Sequence, residues 1–337
     1  MLPVYGATNN FDFNGNTYFT KNYDRVATDL YVDKPLTDVS IKYSNQEYIA
    51  DMVLPRIPVM QETGIIWSYG MENFNLKDLQ RGDKSVSKRS GYTVSSSTTY
   101  RITNYALSDI VTAGMRAQAD SPMSPDVDTT EYLTEILALN KEYLAASALF
   151  NTGTSGFSGY TEALNSGSAR YQWNDYTNSN PIQDISYAKR TKIAANSGAT
   201  NNIWVVMGED VMTYLENHPD LLDNIKYTQT GIITEDLVAK LFQVEKVVVG
   251  KSMYNASNEG QTASLSRVWG KYVLVMNRPA RPALKTSATA VMVHGGNYAR
   301  KWTEPSLRGA DVIEVEEALQ VKVLSPKSGY LFSTAVA

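Results

Sequence analysis

The sequence predicts an α+β protein in which an α/β module is flanked by β-rich stretches and one long helix. Three patterns predict it. Residues 126–150 carry apolar side chains at helical spacing. Between 181 and 276, helical stretches alternate with short apolar runs. Around 92–102 and 313–324, apolar and polar residues alternate with a period of two.

Composition narrows the function classes. The chain has 337 residues, enough for about two domains or one elaborate one. Its 31 Lys and Arg against 35 Asp and Glu leave a net charge of −4. Gripping nucleic acid through phosphate neutralisation needs a basic excess, so that is not the main activity. There is no cysteine, which removes disulfides, thiolate metal sites, iron–sulfur clusters and cysteine nucleophiles. The only histidines are His218 and His294, too few for a histidine-rich metal site or most histidine relays. No run of 18 apolar residues predicts a transmembrane helix, and Met1–Gly6 does not read as a signal peptide. The 22 tyrosines fit a large, half-wet interaction surface or an aromatic core equally well.

In chain order, residues 1–60 read as an arm lying across something else. They are rich in Asn, Tyr, Asp and Thr without a sustained period. Ile49–Val59 reads as extended, because Pro55 and Pro58 push the residues before them out of the helical region. Ile65–Tyr69 and the stretch through Tyr92, Val94, Tyr100 and Ile102 read as two strands of a hairpin. Its tip carries Lys77, Asp78, Arg81, Asp83, Lys84, Lys88 and Arg89. A two-stranded hairpin buries too little to stand alone, so it needs its own body or another chain. The tip reads as a solvated loop, a partner for a neighbouring subunit, or a nucleic-acid contact.

Asp128-Thr129-Thr130-Glu131 has the capping-box form, with Pro125 just before it, and opens the long helix. Tyr132, Ile136, Leu139, Tyr143, Ala146 and Phe150 form its expected buried stripe, widened by Leu133, Leu137 and Leu144. Next come a helix from Pro181 to about Asn196 and a buried strand over Ile203–Met207. Helices over Glu209–Asn217 and Thr234–Phe242 follow, the second with Thr234 as N-cap. Strands over Lys246–Gly250 and Val268–Met276 complete the module. Ala290–Val293, a long strand over Ile313–Leu324 and Tyr330–Phe332 return the chain to β structure.

Candidates for chemistry are weak. Gly153, Gly156 and Gly159 are spaced G-x-x-G-x-x-G but lack the lysine and hydroxyl of a phosphate loop. Gly208 sits between a strand and a helix, where a phosphate can bind, but Glu209 and Asp210 would repel it. His218 and His294 lie in no metal-ligand spacing and read as structural. Asp311, Glu314, Glu316 and Glu317 read as a solvated or subunit-facing edge. Asn255-Ala256-Ser257 is a lone glycosylation sequon without a secretory signal. No catalytic, cofactor-binding or metal-binding residue is assigned and no cofactor is expected.

The order of arm, charged hairpin, long helix, α/β module and return to β resembles the major capsid proteins of tailed bacteriophages, which have the HK97-type fold. The segments carrying the resemblance are Asn202–Gly208 followed by Val211–Pro219, then Gly231–Phe242, Val247–Asn255 and Trp269–Leu274. Trp302–Ser306 and Ser328–Phe332 add to it. The order and spacing of these segments carry the resemblance, which spans nearly the whole chain.

The resemblance implies an N-terminal arm over 1–62, an extended E-loop hairpin over 63–106 and a peripheral domain over 107–184, with its spine helix at 128–150. It further implies an axial domain over 185–288 and a return to the peripheral domain over 289–337. It implies a structural subunit and no enzyme. Pentamers and hexamers of that subunit would close an icosahedral head around double-stranded DNA held without sequence-specific contacts. The expected partners are other copies of the chain, a separate scaffolding protein, a portal at one vertex and a decoration protein, with no membrane. Assembly is expected in the cytoplasm of the bacterial host, and the final location in the virion. The alternatives are an encapsulin-type compartment, another virion protein such as a tail subunit, and an enzyme using the carboxylates near 311–317.

Overall fold

The computed structural model describes residues 10–11, 17–18, 48–69, 73, 75–81, 83, 85–120, 123–165, 170–225, 233–258, 260–281 and 288–337. Most of the expected arm, along with Lys84, Gly231 and Ile232, lies outside the described residues. In chain order the first elements are β1 (Asn10–Phe11), β2 (Thr17–Tyr18), α1 (Ala50–Val53), β3 (Arg56–Pro58), β4 (Thr63–Tyr69), β5 (Val94–Arg101) and β6 (Thr103–Val111). Then come α2 (Ala113–Gln118), the long helix α3 (Pro125–Leu149) and β7 (Thr161–Ala163). The continuous helix α4 is built from Pro181–Tyr187, a π-helical stretch Ala188–Ile193 and Ala194–Ser197. After it follow β8 (Ile203–Gly208), α5 (Glu209–Glu216), α6 (Pro219–Ile225), α7 (Glu235–Phe242) and β9 (Lys246–Gly250). The last elements are β10 (Met253–Asn255), β11 (Leu265–Arg267), β12 (Val273–Asn277), β13 (Ala290–Glu304), β14 (Ala310–Val323) and β15 (Gly329–Ser333).

Two sheets organise these elements. The five-stranded sheet has the order β7-β15-β12-β8-β9. β8 and β9 run parallel, joined by the crossover through α5, α6 and α7, while β12 lies antiparallel to β8 and β15. Both faces of this sheet are covered. Every residue of β8 and β12 is therefore buried, and both strands are almost wholly apolar. One face takes Val205, Met207, Val247 and Val273 against α4, α5 and α7. The other takes Trp204, Val206, Val248 and Leu274 against Ala145, Ala146 and Leu149 of α3 and Ile49–Leu54.

The four-stranded sheet has the order β3-β13-β14-β6. β13 and β14 form an antiparallel pair of 15 and 14 residues, with a register shift at His294/Gly296. Val111, Ile313 and Val315 pack beneath Leu133 and Leu137, so the N-terminal half of α3 lies on this sheet. One helix therefore spans both sheets, its two halves contributing to separate apolar clusters.

That helix corrects two expectations. It begins at Pro125, three residues before the expected capping box, with Ser124 as N-cap and Asp128 reaching back to accept the Ser124 N–H (3.2 Å). Its buried face is also shifted to one side of the expected stripe, whose Leu133, Leu137 and Ala146 are buried and whose two tyrosines are not. Leu133, Leu137, Lys141, Glu142, Ala145, Ala146 and Leu149 are buried, whereas Tyr132 is 60% exposed and Tyr143 is half-exposed. The aromatic stripe is not the core. Lys141 and Glu142 turn inward because each finds buried partners there.

The remaining differences are local. Ile49–Val59 is not extended throughout, since 50–53 make a helical turn. Proline restricts only the preceding residue, and Leu54 is indeed extended. Thr234 holds the N-cap position of α7 without a side-chain bond. The strand expected over Val268–Met276 begins only at Val273, because Gly270-Lys271 form a turn before β12 and Gly270 has a positive φ. β13 continues eleven residues past Val293 along the solvated end of the sheet, where the alternation that marks a half-buried strand is lost.

The shifted face has a measurable consequence. In the unassembled subunit, Leu133→Ala is expected to cost about 2–4 kcal/mol by denaturant unfolding. Tyr132→Ala is expected to cost under about 0.5 kcal/mol. Equal costs would contradict the observed face.

Candidate functional site

The residues considered for chemistry resolve into structural roles. A Cβ on Gly208 would lie 1.8 Å from the Gly270 carbonyl oxygen, so close backbone approach requires this glycine. Gly156 faces the same constraint from the Asn151 carbonyl oxygen at 2.0 Å. Asp220 donates its N–H to His218 Nδ1 (3.2 Å), so the ring carries its proton on Nε2. Nε2 lies 3.0 Å from Ser179 Oγ, and that hydroxyl donates to the Asp175 carbonyl (2.7 Å). Burial lowers the His218 pKa and keeps the ring neutral. This histidine has no free nitrogen with which to activate the serine.

The carboxylates near 311–317 do not lie on an edge. β14 is an interior strand, and its registers Arg300↔Glu314 and Tyr298↔Glu316 bring a cation across from β13. Arg300 Nη2 donates to Glu316 Oε2 (2.6 Å). Arg116 bridges Asp311 (2.6 Å) and Asp126 (2.7 Å), and Lys301 joins both acids. The Arg116 hydrogen bonds hold the Asp126 carboxyl down at about 2. Glu317 is buried against Lys141 (3.2 Å), with His294 3.7 Å away. Among the described residues no group of three or more His, Asp or Glu is arranged to hold a metal ion.

The buried site that sequence reasoning missed is Glu142. Its carboxylate accepts N–H bonds from Ile49 (3.0 Å) and Ala50 (2.8 Å), the indole N–H of Trp269 (2.6 Å) and the Ser252 hydroxyl (3.4 Å). Burial raises its pKa, opposed by these four donors. The preceding residue, Lys141, pairs with Asp51 (3.1 Å) as well as Glu317, and Asp51 pairs with Arg56. Two successive residues of α3 thus hold residues 49–51 against both sheets. In sequence, Glu142 is one acid inside an apolar stripe, and nothing local marks it.

A second buried carboxylate titrates in an accessible range. Asp184 accepts from Trp173 Nε1 (3.0 Å) and lies 3.1 Å from Arg170 Nε, which also holds Glu162. Burial outweighs both contacts and pushes its pKa up to about 6.

The hairpin tip is built differently. Asn73 closes the neck by exchanging two hydrogen bonds with the Thr93 backbone (2.8 and 2.9 Å). Lys88 pairs with Asp78 (2.6 Å), Arg81 donates to Ser87 Oγ (3.2 Å) and Lys77 contacts Ser90. Leu76, Leu79 and Val86 stand almost wholly in solvent among these charges. Solvated ion pairs contribute little to stability, so the tip has no strong internal reason for its shape. Bare leucines interleaved with cations make a surface suited to contact.

Two outcomes test the buried acids. Glu142→Ala strands three N–H donors and is expected to cost about 3–5 kcal/mol in unfolding, whereas Glu142→Gln keeps one acceptor and costs less. Asp184 has a folded pKa above its unfolded value, so its charged form is disfavoured by folding. Stability is lost as pH rises from about 4 through about 6. Asp184→Asn is expected to remove about 3 kcal/mol of that slope, read from unfolding midpoints between pH 3.5 and 7. An unchanged slope would contradict it.

No protein-family model matches the chain. The chain is 26% identical over 314 residues to a protein of Pseudomonas phage JBD67 named major capsid protein, covering 91% of this chain and 97% of that one. It is 26% identical over 248 residues to a Burkholderia phage BcepMu protein of the same name, covering 74% and 76%. Among solved structures, a phage-related protein from Bordetella bronchiseptica superposes with a TM-score of 0.65 at 23% identity, over 90% of this chain and 97% of that one. The bacteriophage PhiM1 mature capsid gives 0.51 at 10% identity, over 85% and 87%. An encapsulin from Synechococcus elongatus gives 0.52 at 9% identity, over 91% and 94%. Over nearly its whole length the chain is a sequence relative of phage major capsid proteins, and its fold is the HK97-type capsid fold.

Proposed function

We propose that this chain is the major capsid subunit of a tailed phage, self-assembling into the pentamers and hexamers of an icosahedral head that encloses double-stranded DNA. The observation that carries the proposal is the hairpin β4–β5 with its tip. It projects from a well-packed body and leaves Leu76, Leu79 and Val86 uncovered. Apolar side chains so exposed in one copy are covered when copies meet. The encapsulin shares the fold, but both sequence relatives described above are phage capsid proteins, which favours the capsid reading.

In this reading 1–62 is the arm, 63–106 the E-loop, and 107–184 with 289–337 the peripheral domain. The axial domain is 185–288. The residues touching α3 at both ends give the body its rigidity, while the arm and hairpin adapt to inequivalent neighbours. The head contains packaged DNA, a portal at one vertex and, where the phage has them, decoration proteins, and a separate scaffolding protein guides closure. The subunit's slight acidity suits a genome that must leave. Assembly takes place in the host cytoplasm, and the subunit has no catalytic role.

The test is electron microscopy and sedimentation of the chain expressed alone and with candidate scaffold genes. Closed icosahedral shells are expected, and tubes, stacked rings or a small oligomer under every condition would overturn the reading. Leu76→Asp with Leu79→Asp is expected to leave a folded, soluble subunit that forms no shells. Normal shells from that variant would remove the tip from assembly.

A further inference from the structure

The long helix α3 carries an apolar stripe on the side turned away from its buried face. Tyr132, Ile136, Leu139 and Tyr143 are spaced four, three and four residues apart. They therefore line one side of the helix over three turns, about 16 Å. Tyr132 and Tyr143 are exposed, and Ile136 and Leu139 are half-buried. Tyr143 meets the Tyr254 ring edge-on, with 5.6 Å between ring centres, and the far end of the stripe at Tyr132 stays open. Alternating steps of four and three are the spacing at which a second helix seats its side chains between those of the first.

The charges beside the stripe are of one sign. Asp128, Glu131 and Glu135 are three and four residues apart and follow one border of it, while Thr129, Asn140 and Ser147 on the other border are uncharged. Asp128 accepts the Ser124 N–H and Glu135 accepts the Tyr48 hydroxyl, neutral donors that leave both charges unbalanced. Glu131 is exposed. The single cation of α3, Lys141, is buried against Asp51 and Glu317.

This chain does not supply the matching surface. The same helix of a second copy brings the same acids and no available cation. Among the other described α-helices, α5 and α6 expose Tyr214 and Leu222 but contain no Lys or Arg. The cations of α4 and α7 stand on helices with no large exposed apolar side chain. Residues 19–47 hold five acids against four bases, so they bring no basic excess either.

We propose that this face of α3 docks a basic amphipathic helix of the separate scaffolding protein. Its apolar side chains seat between Tyr132, Ile136, Leu139 and Tyr143, and its Lys or Arg residues lie against Asp128, Glu131 and Glu135. The inference rests on the capsid reading and names where the scaffold holds the subunit. The acids lie at the rim of the contact, so it loosens as salt rises.

The chain has no cysteine, so Tyr132→Cys and Tyr143→Cys each introduce a single thiol. Alkylation by N-ethylmaleimide would be timed in the free subunit, in shells closed with a co-expressed scaffold candidate, and in those shells after salt extraction of the scaffold. It is expected to be fast in the free subunit, at least about tenfold slower in scaffold-filled shells, and fast again after extraction. Glu131→Lys is expected to keep its unfolding midpoint and to co-sediment less scaffold. Thiols already shielded in the free subunit would overturn the inference, because the chain's own residues would cover the stripe. Shielding that survives extraction would assign the stripe to neighbouring copies, and fast alkylation in filled shells would place the scaffold elsewhere. Undiminished scaffold binding by Glu131→Lys, or shells that close with no scaffold, would equally overturn it. All of these outcomes leave the capsid reading intact. Failure of the unsubstituted chain to form shells under any condition would instead overturn that reading itself.

Discussion

The Glu142 carboxylate is the constraint on which the arrangement depends. A buried acid is tolerated only where donors surround it, and here they come from three directions. Ile49 and Ala50 bring the root of the N-terminal segment, Trp269 brings the five-stranded sheet, and Ser252 brings the stretch after β9. The two backbone donors are also the reason residues 50–53 coil. A helical turn of four residues has its free N–H groups satisfied by a side chain 92 positions away in sequence. Lys141, one residue earlier, extends the same tie to Glu317 on β14 and so to the second sheet.

That tie divides the molecule physically. Around α3, the two sheets and the helices over β8 and β9 are packed without exposed gaps in polar satisfaction, apart from Thr161 Oγ1 and Trp204 Nε1 among the described residues. Outside it, the hairpin leaves the sheet with its apolar side chains uncovered. A shell subunit needs both properties. Its body must keep one shape at every position, and its extensions must gain their stability from neighbours.

The charge pattern follows the same division. Within the body, each of these acids faces a cation: strand register sets Arg300 beside Glu314 and Glu316, while helices bring Arg116 to Asp311 and Lys141 to Glu317. These pairs fasten the long strands to each other and to the start of α3. At the tip, Asp78 and Lys88 are solvated and the apolar residues between them are bare. Paired charge in one place marks a finished interface, and unfinished apolar surface in the other marks one still to be made.

How much was legible depended on whether a feature was local. The alternation of helices with β8, β9 and β12 was readable because strands buried on both faces are apolar throughout, and Ile203–Met207 and Val247–Val249 show it directly. The hairpin was readable from parity and from its charged tip. The register of α3 was not, because its tyrosines and leucines are all apolar enough to be core, and only the position of two sheets selects Leu133 and Leu137 over Tyr132 and Ile136. The roles of Glu142 and Lys141 were invisible for the same reason. Their partners lie far away in the chain, at Ile49, Trp269, Asp51 and Glu317. By itself the sequence determined the element order, the absence of thiol chemistry and the bare hairpin, all set by nearest-neighbour patterning and composition. The tertiary structure decided which helix face is buried, which stays open and which acids are paired, because those depend on atoms brought together only when the chain folds.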